Sequence, residues 1–86
     1  MATPYCVVLV TVPDKAAADK IAETMVTTKL AACVNVVSGV KSVYHWEGKL
    51  ERSDELLLVV KTRKDLMPEV CDFVKKNHPY KVPEVL

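Results

Sequence analysis

The side chains that could do chemistry in this sequence are few and scattered. Its two histidines, His45 and His78, lie far apart, and its three cysteines, Cys6, Cys33 and Cys71, are equally dispersed. An imidazole can take a borderline metal such as Cu(II) or Zn(II). Thiolates do so best at short spacing, and the chain has no C-x-x-C pair, so neither a zinc knuckle nor a thioredoxin-type couple is on offer. No pair of metal-type ligands is close in sequence, so any metal site must be assembled by folding or by subunits. His78 is the candidate ligand, and the competing reading is a helix-end histidine satisfied by the helix dipole or a backbone carbonyl. His45, inside a strand pattern beside Trp46, reads as a packing or subunit-interface residue. The cysteines are odd in number and flanked by apolar residues. They read as reduced thiols packed in a core, which points to a reducing, cytoplasmic compartment.

The elements that position these groups must fit into one small domain, 1–86, since 86 residues leave no room for a second core. A domain of this size buries only about 60% of the surface of its unfolded chain, so a lone copy is marginal without reinforcement. Lysine and arginine number 12 against 11 acids, with the signs interspersed, and the formal net charge is +1. That balance gives no electrostatic case for nucleic acid or a membrane surface. Met1 to Tyr5 carries no basic segment leading into an apolar stretch, and the aliphatic run Leu56 to Val60 is too short to span a bilayer. A soluble protein is expected.

Tyr5 to Val12 is β-branched and almost wholly apolar, and Pro13 ends it, which predicts a buried strand. Asp14 is a good N-cap, and Ala18, Ile21, Ala22 and Met25 then fall on one helical stripe running to about Thr28. A second strand is predicted from Ala31 to Val37, resuming from Val40 to Trp46 after a bulge or bend at Gly39. Glu47-Gly48 is the hairpin signal. The return strand runs from near Lys49 to near Thr62, with Arg52-Ser53-Asp54 as a polar interruption. A second helix starts near Lys64 or Asp65, with Pro68 in its first turn and Leu66, Val70 and Phe73 on its apolar face. His78-Pro79-Tyr80 ends it, and Val82 to Leu86 begins a last strand. The order is β-α-β-β-α-β, an α+β ferredoxin-like sandwich: an antiparallel sheet with two helices on one face.

Such a sheet should alternate apolar and polar residues along its strands, because only one face lies under the helices. Here it does not. Leu56, Leu58 and Val60 oppose Leu57 and Val59, and Cys6, Val8 and Val10 oppose Val7 and Leu9. Two such strands make an exposed patch that soluble monomers rarely tolerate. Ala32 to Trp46 would also span roughly 50 Å, against about 30 Å for a compact domain of this size. The hairpin must bend at Gly39, protrude to pair with a neighbour, or do both. A closed cyclic assembly covers the open face and the strand edges together.

Four segments in this order resemble the CutA divalent-cation-tolerance family: Leu30 to Asn35 (LAACVN), Val43 to Lys49 (VYHWEGK), Glu55 to Thr62 (ELLLVVKT) and His78 to Glu84 (HPYKVPE). The resemblance covers nearly the whole chain. It implies a ferredoxin-like homotrimer whose hairpins pair around a three-fold axis, and a role in tolerance to, or sensing of, divalent metals such as copper. It also places Tyr44, Trp46 and Tyr80 near a cleft between subunits, with Lys61 and Glu84 as polar members. That cleft reads either as a small-molecule site or as interface packing, and Glu55 and Lys61 as partners of groups on a neighbouring chain. No cofactor is required, and Cu(II) or another divalent cation is the possible ligand. Vertebrate relatives are associated with anchoring of acetylcholinesterase, and the trimer is similar to the PII signalling proteins, so a small-ligand or protein-partner role is the alternative. In some bacterial members the proposed copper ligands are a Cys near the end of the first strand and two consecutive His. The matching positions here are Val10, Asn77 and His78, so only His78 corresponds. Family members also continue past Val82 to Leu86 into a C-terminal tail that this chain lacks.

Other functions of the same fold want residues that are missing. An acylphosphatase-type loop after the first strand needs an Arg and free backbone amides, and Thr11-Val12-Pro13-Asp14 has neither Arg nor Gly. A copper chaperone would carry two cysteines there. An RNA-recognition domain would display aromatics on its central strands, where Leu56 to Val60 is aliphatic. No constellation of nucleophile, base and oxyanion donor can be drawn, so no enzymatic activity is expected.

Overall fold

The computed structural model describes residues 4–77. The predicted helix end at His78-Pro79-Tyr80 and the last strand at Val82 to Leu86 lie outside the described residues. In chain order the elements are β1 (Tyr5–Val12), α1 (Lys15–Thr27), β2 (Cys33–Trp46), β3 (Lys49–Arg63), a 3-10 turn (Lys64–Leu66) and α2 (Met67–Asn77). Among the described residues the strands form one antiparallel sheet in the order β1-β3-β2.

Local chemistry accounts for the boundaries of α1. Asp14 is extended at the N-cap, and its carboxylate accepts from the Ala17 amide at 2.8 Å. At the other end Lys29 takes a left-handed φ of 63°. Its amide donates to the Val26 carbonyl at 3.1 Å and the Leu30 amide to that of Met25 at 2.9 Å, the paired bonds of a Schellman termination.

The helix-facing side of the sheet is set by register. Val8 stands opposite Val60 and Val10 opposite Leu58, and all four are buried with Ile21 and Met25 of α1 and Val70 and Val74 of α2 in one core. Both helices therefore serve the same face. The other parity, Val7, Leu9, Leu57 and Val59, faces away from them, with Val7 55% and Leu9 37% exposed.

Beyond the core, β2 and β3 continue as a two-stranded arm. The register shifts between Val37 and Val40, so Ser38 and Gly39 together oppose Leu56, a bulge with Gly39 at φ 76°. The arm closes at Trp46 and Lys49 through Glu47 and Gly48, both at positive φ as a tight primed hairpin turn requires. It makes the molecule long, at 41 × 30 × 22 Å, with a radius of gyration of 13.4 Å where about 12 Å is usual for this length.

The polar stretch Arg52-Ser53-Asp54 lies within the return strand, where Val43, Ser42 and Lys41 pair with it in unbroken register. Lys41 and Asp54 also form a 2.6 Å ion pair across the arm. Polar side chains suit a strand there, since no helix covers that stretch. The second helix opens with the 3-10 turn and becomes α-helical only at Met67, with Pro68 its second residue, where a missing amide leaves no bond unmade. The three cysteines are free, but none is fully buried: Cys6 and Cys71 are half-buried and Cys33 is exposed. Cys33 pairs with Lys61 on the face that the helices leave open.

Candidate functional site

The register distributes the anticipated site residues over the sheet. The bulge restores parity, so Val40 opposite Glu55 and Tyr44 opposite Glu51 continue the open face along the arm. Trp46, opposite Lys49, ends it. Tyr44, Trp46, Glu55 and Lys61 thus share one face of the sheet. His45, opposite Leu50, belongs to the other face and is exposed near the arm tip. His78, Tyr80 and Glu84 lie outside the described residues.

One face is not one site. Trp46 sits at the Lys49 end of β3, twelve residues from Lys61 along that strand, or roughly 40 Å at 3.3 Å per residue. Within a single chain these two side chains cannot line a common cleft. Trp46 is 63% exposed and Tyr44 44% exposed, so the arm holds both in solvent. Glu55 is the opposite case, only 7% exposed and engaged in an interaction of its own within the chain. Beside it on the same parity, the Ser53 hydroxyl is buried without a hydrogen-bond partner among the described residues.

Lys61 lines a cavity of about 500 Å³ with Tyr5, Cys6, Val7, Ala32 and Thr62. Tyr5 was not anticipated as a site residue, although it is an aromatic at the parity of the open face. Thr62 is buried, and its hydroxyl donates to the Leu30 carbonyl at 2.6 Å, which ties the end of α1 to β3.

For metal, no group of three His, Cys, Asp or Glu side chains comes together among the described residues. Val10 is fully buried under the helices. The Asn77 side-chain amide donates to the Phe73 carbonyl at 2.8 Å. Val10 is aliphatic and offers no ligand atom, and Asn77 uses its amide nitrogen in a helix-end hydrogen bond.

The family model of the CutA1 divalent ion tolerance protein matches residues 6–86. The chain belongs to the CutA1 family. It is 51% identical over 83 residues to the chloroplastic protein CutA 1 of Oryza sativa, covering 96% of this chain and 47% of that protein. It is 48% identical over 80 residues to the divalent-cation tolerance protein CutA of Thermus thermophilus, covering 93% of this chain and 78% of that one. The crystal structure of CutA1 from Oryza sativa superposes with a TM-score of 0.94 at 50% identity, over 98% of this chain and 77% of that chain. The chain spans about half the length of the curated plant relatives it matches. The antiparallel sheet and two helices of the described residues thus match CutA1 structures. No described helix is long and apolar enough to cross a membrane.

Proposed function

We propose that this chain is a ferredoxin-like subunit of a homotrimer that serves divalent-cation tolerance, copper included, as a binding protein and not as a catalyst. The observation that carries this reading is the doubly apolar sheet. One face is closed by α1 and α2, while the other exposes Val7, Leu9 and Val37 to solvent in a single chain. Three copies closing on that face would bury it and would let each arm pair with a neighbour. Trp46 of one copy could then approach Lys61 of another, which the separation within one chain forbids. Metal would be held by His78 together with carboxylates, or His45, contributed by a neighbouring copy, with no resident cofactor required. Three free thiols, one of them exposed, suit a reducing compartment such as the cytoplasm.

The exposed Tyr44 and Trp46, with Lys61, also support a second reading, a PII-like trimer that senses a small ligand or binds or anchors a protein partner without specific metal chemistry. Light scattering at micromolar concentration tests the assembly, and a stable monomer would remove it. Calorimetric titration of the native protein and His78→Ala with Cu(II) separates the two readings. Weak binding that disappears below about pH 6.5, as imidazole protonates, and that is lost in the variant supports the metal reading. No binding by either protein moves the weight to the second.

A further inference from the structure

We propose that the cavity at the foot of the sheet, between the end of α1 and the start of the 3-10 turn, binds a small organic carboxylate with an apolar body. This site is separate from the arm and from the metal reading. It is a shallow hollow of about 560 Å³, open to solvent on one side. Tyr5, Val26, Ala31 and Leu66 supply its apolar lining, and Lys29 and Arg63 supply its charge. In a single chain Tyr5 is 61% and Val26 43% exposed.

The charge is one-sided. Among the described residues Lys29 takes part in no ion pair, and Arg63 uses its Nε for Asp65 at 3.1 Å. The guanidinium presents further donors beyond Nε, and a carboxylate is matched to that planar fork. No acidic side chain lines the cavity among the described residues. The placing of Lys29 is also costly. It occupies the left-handed position of the α1 termination that glycine fills most easily, and the residue lines the cavity. The apolar lining asks for a hydrocarbon or aromatic body, and the two cations ask for one anionic head.

The probes are octanoate and 1-octanol, titrated into the ¹⁵N-labelled full chain and followed by NMR. Saturable octanoate shifts centred on the amides of Tyr5, Val26 and Leu66 are expected, with 1-octanol binding more weakly. Lys29→Gly keeps the backbone conformation while removing the ammonium, so its effect is not one of unfolding. It should weaken octanoate binding roughly three- to fivefold, as an exposed ion pair is worth, with Arg63→Gln acting similarly and Lys29→Arg restoring affinity. The proposal is overturned by any of three results: no saturable binding, shifts centred on Tyr44 to Trp46 instead, or equal affinity for acid and alcohol in the parent and both loss variants.

Discussion

The hydroxyl of Thr62 in β3 donates to the carbonyl of Leu30, the residue that follows left-handed Lys29 at the end of α1. Thr62 is 3% exposed, so the bond is sheltered from water. Thr62→Val keeps the shape and removes the donor, leaving that carbonyl without this partner. A loss of about 1 to 2 kcal/mol in chemical denaturation is expected. No change would mean that water replaces the hydroxyl without cost.

The strained Lys29 offers a gain. A non-glycine residue in the left-handed region costs roughly 1 kcal/mol, and φ is 63° here. Lys29→Gly should raise stability by about 0.5 to 1 kcal/mol, reduced somewhat by the greater freedom of glycine in the unfolded chain. Lys29→Val should lower it. Thermal melts of the pair with the parent check both signs.

At the arm tip, Glu47 has φ 50° and Gly48 has φ 77°. Asparagine tolerates the first conformation better than glutamate, and glycine alone meets the second freely. Glu47→Asn is expected to stabilise the hairpin by a few tenths of a kcal/mol. Gly48→Val should cost more than about 1 kcal/mol, and amide exchange along Val43 to Arg52 reads the local loss.

Charge placed on the open face distinguishes fold from assembly. Val7 and Leu9 face away from both helices, so Val7→Lys with Leu9→Glu should leave the circular-dichroism spectrum intact while reducing the mass in light scattering to that of one chain. Cys33 lies on the same face. Its thiol should label slowly in the assembled parent and fast in the double variant, with peptide mass spectrometry locating the label. A parent already monomeric, with Cys33 fast, contradicts the trimer.

Some of this was legible before the structure. Pro13 and Asp14 end one strand and begin one helix by backbone chemistry alone, so β1 and the start of α1 fall where the residues place them. Glu47-Gly48 and Gly39 announce positive φ, and a turn and a bulge occupy them. These signals act over a few residues and need no tertiary context. The four motifs LAACVN, VYHWEGK, ELLLVVKT and HPYKVPE, taken together and in that order, carried the family.

Other features depended on what packs above each residue. Runs such as Leu56 to Val60 are apolar at both parities, so period-two patterning could not say which face is buried, and only the helices over Leu58 and Val60 decided it. Arg52-Ser53-Asp54 broke the apolar pattern without breaking the strand, because the arm is held there by ladder pairing with Val43, Ser42 and Lys41. Cys33 looked like a core thiol from its apolar neighbours, yet its parity puts it on the open face. Tyr44, Trp46 and Lys61 were identifiable as residue types, but their separation along β3 exists only once the pairing of β2 with β3 is known. Local backbone preference is written in adjacent residues, while burial and distance belong to the registers between strands and to the helices laid across them.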